Sequence, residues 1–139
     1  MSEKLRRLLR IREIARTQAS LELADAMANR TDAQSKASEL RGLAEEYRLQ
    51  FADQGSTQAE RLSQFQSFYA SLAKARKAQG QLQQDAVRRE EAARERYVRI
   101  SHACEGLDRV IQAREAAHKV AKNKRTERQK VPSNRNSVV

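Results

Sequence analysis

A chain of 139 residues with 33% charged residues, 4% aromatics and a net charge of +10 is one domain at most and has little material for a globular core. Its one cysteine, Cys104, excludes an internal disulfide and fits a reducing compartment. No apolar run is long enough to span a membrane, and Met1-Ser2-Glu3-Lys4-Leu5 lacks an apolar signal-peptide core, so a cytoplasmic chain is expected.

Ala, Leu, Arg, Glu, Gln and Lys dominate the sequence, and all are strong helix formers. From Leu5, alternate steps of four and three visit Leu9, Arg12, Arg16, Ala19, Leu23, Ala26, Arg30, Ala33, Ala37, Leu40, Ala44, Tyr47 and Phe51. Eleven of these fourteen positions are apolar. This is a heptad seam on a helix over about residues 3–53.

Asp53-Gln54-Gly55-Ser56 is a cluster of turn residues, and the turn is placed at 54–57. Thr57 and Glu60 fit a capping box that opens the next helix. Tyr47 and Phe51 precede the turn, and Phe65, Phe68 and Tyr69 follow it. Folded back, these rings meet and lock a hairpin tip.

A second helix is expected over about 57–128. Its seam, stepped from Phe65, reads Phe68, Leu72, Ala75, Gln79, Leu82, Ala86, Arg89, Ala93, Arg96, Ile100, Ala103, Leu107 and Val110, and continues through Arg114, Ala117 and Ala121 to Lys124. The fold class is therefore all-α: a long antiparallel two-helix coiled-coil hairpin over 1–130, with a disordered tail over 131–139. Folding about Gly55 places position i opposite 110 minus i. The N-terminus then lies near Leu107, and residues beyond about 110 have no partner in their own chain. Both seams are rich in Ala, which buries little area, so a marginally stable hairpin is expected.

The charge is not spread along the chain. Residues 1–16 carry net +4, residues 114–139 net +6, and residues 17–113 are neutral. An antiparallel hairpin gathers the whole excess at one end. Such a basic end seeks an acidic protein cavity, a nucleic acid or an anionic membrane. No base-reading signature accompanies it, and the first turns lack the aromatic anchors of a membrane-surface helix.

Nothing in the sequence points to catalysis, a metal or a cofactor. His102 and Cys104 stand two apart on different sides of a helix and make a poor metal pair; both are read as solvated surface. The pairs Glu45-Glu46 and Glu90-Glu91 are read as solvent-facing helix charges.

Three segments carry a family resemblance. L-R-R-L-L-R-I-R-E with Q-A-S-L-E-L-A-D-A at the start, L-R-G-L-A-E-E-Y at 40–47 and F-Q-S-F-Y-A-S-L-A-K-A-R-K-A-Q at 65–79 resemble the FliJ family. The resemblance implies a non-enzymatic component of the flagellar type III export apparatus. It further implies a central stalk whose terminal end enters the hexameric export ATPase, while the shaft contacts the large membrane protein of the export gate. Export chaperones are further partners, there is no small-molecule substrate, and the location is the cytoplasmic side of the inner-membrane apparatus. On the ATPase side the basic residues are Arg6, Arg7, Arg10, Lys119, Lys122, Lys124 and Arg125. On the gate side the matching positions are Leu40, Leu43, Tyr47, Phe68, Leu72, Ala75 and Gln79. Lys36 departs from a common Gln, Leu43 from an aromatic and Gln79 from a His. Packing of the hairpin alone would also explain most of the gate-side set. The alternatives are a stalk of a virulence injectisome, or a basic coiled coil that binds nucleic acid or anionic membrane.

Overall fold

The computed structural model describes residues 2–54 and 59–136, with side chains over 2–52 and 59–129. They form two helices, α1 (Ser2–Gln54) and α2 (Ala59–Asn136). The fold is all-α, with α1 and α2 packed antiparallel in each of two compact units. A turn unit comprises Ser20–Arg96, and a terminal unit comprises Met1–Ala19 with Tyr97–Val139.

Local sequence sustains the helices between their packed faces. Asp32–Lys36 and Glu90–Arg94 are ion pairs four residues apart, with the acid on the N-terminal side, the favourable order. Hydroxyls that would otherwise compete with the backbone are tied into it: Thr17, Thr31, Ser71 and Thr126 each donate to the carbonyl four residues earlier. Gly42, Gly80 and Gly106 sit in helix interiors with open space where a Cβ would point, so each costs about 1 kcal/mol relative to Ala with no packing gain.

All fourteen seam positions expected on α1 are buried or half-buried. In the turn unit, Tyr47 and Phe51 meet the rings of α2. Phe65 stacks on Phe51 at 3.9 Å and on Tyr47 at 5.4 Å, Tyr47 meets Phe68 at 4.2 Å, and Phe65 meets Tyr69 at 5.6 Å. The expected aromatic cluster is present. Each such pair adds about 0.5–1.5 kcal/mol beyond area burial. The capping box of Thr57 and most of the turn at 54–57 lie outside the described residues; α1 is helical through Gln54.

On α2 only one of the two expected seam rows holds. Phe65, Leu72, Gln79, Ala86, Ala93, Ile100 and Leu107 are buried or half-buried. The other row is displaced by one residue. Glu90, Tyr97, Cys104 and Ile111 face α1, while Arg89, Arg96, Ala103 and Val110 are exposed. The cause is chemical: Arg30 on the α1 seam takes the Glu90 carboxylate as its partner. Two readings from sequence are corrected here. Glu90 is 5% exposed, not a solvent-facing charge, and Cys104 is 2% exposed, not solvated surface.

The register also differs from expectation. Arg12 Nη1 donates to the Ala103 carbonyl at 3.5 Å, Arg30 to Glu90 at 2.8 Å and Arg96 to Glu22 at 3.1 Å. These pair numbers sum to 115–120, and Gln79 with Ala33 to 112, all above the expected 110. In the terminal unit Ser2, Leu5 and Arg6 line one groove with Ile111, Arg114, Glu115 and His118, and Arg6 pairs with Glu115, later along α2 than the expected Leu107. The part of α2 without a partner begins later than residue 110. The helix runs to Asn136, past the expected end near 128 and through Pro132. Pro132 has no N–H to offer the Arg128 carbonyl, so the helix is weakest there.

Candidate functional site

Two surfaces are candidates, one in each unit. In the terminal unit, Arg6, Arg7, Arg10, Lys119, Lys122, Lys124 and Arg125 are all exposed. Arg6, Arg7 and Arg10 are displayed because Leu5, Leu9, Arg12, Arg16 and Ala19 use the other face of α1 to meet α2. Arg6 differs from the rest: it donates to Glu115 in an exposed ion pair, and that hydrogen bond raises its pKa above the ordinary value. Arg7, Arg10, Lys119, Lys122, Lys124 and Arg125 make no ion pair among the described residues. Every described side chain from 112 to 129 is exposed, so the positive field faces solvent.

In the turn unit, the seven gate-side positions separate into two groups. Leu72 is buried, and Leu40, Tyr47 and Gln79 are half-buried. Gln79 Nε2 donates to the Ala33 carbonyl at 3.2 Å, so its amide cross-links the helices. Leu43, Phe68 and Ala75 are exposed, with Leu43 at 46% and Phe68 at 40%. Outside the seven gate-side positions, Leu49, Leu62 and Tyr69 are also exposed large apolar residues near the same turn; of these the sequence points only to Tyr69, as a ring of the tip. Tyr69 carries a signal in sequence, since it follows the seam ring Phe68; Leu49 and Leu62 fall off both expected seams and carry none. Below Tyr69, Arg48 donates to Glu45 at 2.7 Å, which lowers the Glu45 pKa.

Among the described residues no group of three or more His, Cys, Asp or Glu could hold a metal ion, and no helix is long and apolar enough to cross a membrane. The grooves along the helix pairs are shallow; the one at Glu22, Asp25, Asp32 and Gln79 is lined by helix-surface side chains. What remains is two exposed surfaces on paired helices, one cationic and one apolar. A family model described as Flagellar FliJ protein matches residues 1–131. The chain belongs to the FliJ family. FliJ proteins are non-catalytic components of flagellar export, so this chain is a flagellar export-related protein. No curated protein and no solved structure matched the chain. The FliJ match spans both candidate surfaces, up to residue 131.

Proposed function

We propose that this FliJ chain is the central stalk of the hexameric export ATPase, and that it couples the ATPase to the large membrane protein of the export gate. The observation that carries the reading is the exposed cationic surface of the terminal unit. Arg7, Arg10, Lys119, Lys122, Lys124 and Arg125, exposed and without an ion pair among the described residues, stand on one unit, whereas residues 17–113 are neutral in sum. A surface of one sign costs self-repulsion unless a complementary partner uses it. An acidic pore in an ATPase ring is such a partner. The gate contact falls to Leu43, Phe68 and Ala75, whose side chains the hairpin leaves exposed, with Leu40, Tyr47, Leu72 and Gln79 holding them in place. Export chaperones would share that apolar side. The protein would then work at the cytoplasmic face of the membrane apparatus. The match to a flagellar family favours this system over an injectisome.

Charge reversal tests the reading. With Arg7, Arg10, Lys122 and Lys124 changed to Glu, stimulation of the export ATPase should be lost. Helix content should persist, since exposed charges contribute little to stability. Wild-type binding should weaken as salt rises, because the Debye length is only about 8 Å at physiological ionic strength. Full stimulation by the reversed protein would overturn the stalk assignment.

A further inference from the structure

Ile11 and Ile14 are 63% and 68% exposed. No other large apolar side chain among the described residues is more exposed than Ile14. Both lie in the terminal unit, on the side of α1 away from the seam residues Leu9, Arg12 and Arg16. Three residues apart, they are neighbours on one helix face. Arg7 and Arg10 stand one turn before them, also exposed, and Leu8 at 39% exposure borders the group. Packing against α2 does not account for these two isoleucines, because α2 contacts the opposite face. The result is a small apolar centre inside a cationic surface.

We infer that Ile11 and Ile14 are the apolar anchor of the surface that docks on the export ATPase, and that the partner offers an apolar pocket rimmed by carboxylates. This rests on the stalk reading above. Charge complementarity selects the partner: a pocket for two branched aliphatic side chains beside Arg7 and Arg10 is stable only where acidic groups meet those guanidiniums. Side chains at i and i+3 on a preformed helix are the anchors of helix-in-groove recognition. Charge then governs the encounter rate, and the desolvated apolar centre governs how long the complex lasts. An anionic lipid surface fits this face less well. An interfacial helix needs a wide apolar face, and Leu5 and Leu9 are held against α2.

The experiment measures binding of the full-length protein to the hexameric export ATPase at physiological salt. Wild type is compared with the double variant Ile11→Gln/Ile14→Gln and with Leu82→Gln, a site 58% exposed in the turn unit. The melting temperature should be unchanged in both variants. ATPase affinity should fall about tenfold or more in the double variant, mostly through faster dissociation, and should be unchanged in Leu82→Gln. What binding the double variant keeps should vanish at raised salt, since only charge would remain. If the Gln pair lowers the melting temperature, Ile11→Ala/Ile14→Ala removes the same anchors with a better helix former. Equal affinity of wild type and double variant overturns this inference and leaves the stalk reading standing. Failure of wild type to bind the ATPase overturns both. Loss of binding to phosphatidylglycerol-rich vesicles, with ATPase affinity intact, assigns the isoleucines to a lipid surface and also overturns the inference.

Discussion

Arg30 Nη1 donates to Glu90 Oε2 at 2.8 Å, and the receiving carboxylate is 5% exposed between the two helices of the turn unit. Arg94 donates to the other oxygen, Oε1, at 2.9 Å. One carboxylate thus holds one guanidinium from each helix. A charge at a seam position among Ala and Leu costs desolvation, and slipping the helices past one another would strip it of Arg30 and leave only Arg94 of its own helix. Such polar seam residues specify register at some cost in stability.

The pH dependence of stability follows from this pair. The hydrogen bond from Arg30, and then that from Arg94, hold the Glu90 carboxyl below the usual carboxylate range. A carboxyl whose folded pKa is lowered stabilises the fold above its unfolded pKa, near 4.3, and that contribution is lost as pH falls through the folded value. Melting temperature should therefore be nearly flat from about pH 7 to 5 and drop below about pH 4. Glu90→Gln should melt lower than wild type at pH 7, and the gap should narrow in acid. Thermal melts across this range check it, and a constant gap would exclude the linkage.

The register gives a second measurement. Spin labels at Arg6 and Glu115, which are ion-paired in the structure, should be close in dilute labelled protein mixed with excess unlabelled chain. Labels at Arg6 and Glu105 should be farther apart by an axial offset of about 15 Å, from the helix rise. The reverse order would mean pairing about Gly55.

Cys104 offers a direct check on the displaced seam row. Its side chain is 2% exposed and should react slowly with a thiol reagent in native buffer and rapidly in denaturant. Fast native reaction would place Ala103, not Cys104, against α1.

Packing and partner contact separate cleanly in the turn unit. Leu72 is 6% exposed and Leu43 is 46% exposed. Leu72→Ala should cost about 2–5 kcal/mol of stability, whereas Leu43→Ala should stay within about 0.5 kcal/mol. If Leu43 contacts the gate, its substitution should still weaken gate binding, by up to about thirtyfold for a hot-spot residue. Melting and gate-binding measurements on both variants test this. Unchanged gate binding in Leu43→Ala would remove that residue from the contact.

By itself the sequence determined which face of α1 is packed. Its apolar residues recur at heptad spacing from Leu5 to Phe51, and no other face of that helix can bury as much apolar surface. It also determined the meeting of Tyr47, Phe51 and Phe65, because turn residues separate rings that the hairpin must bring back together, and the placement of net charge at the termini. The second row of α2 was not legible in the same way. From Phe65, a step of three leads to Phe68 and a step of four to Tyr69, and both keep Leu72, Ala86 and Ile100 on the seam. Periodicity within one helix cannot choose between these rows; the facing helix chooses. Arg30 on α1 needs an acid, Glu90 supplies it, and Tyr97, Cys104 and Ile111 follow onto the same side. Register, too, was decided only in three dimensions, because it depends on which long side chains reach across to the facing helix.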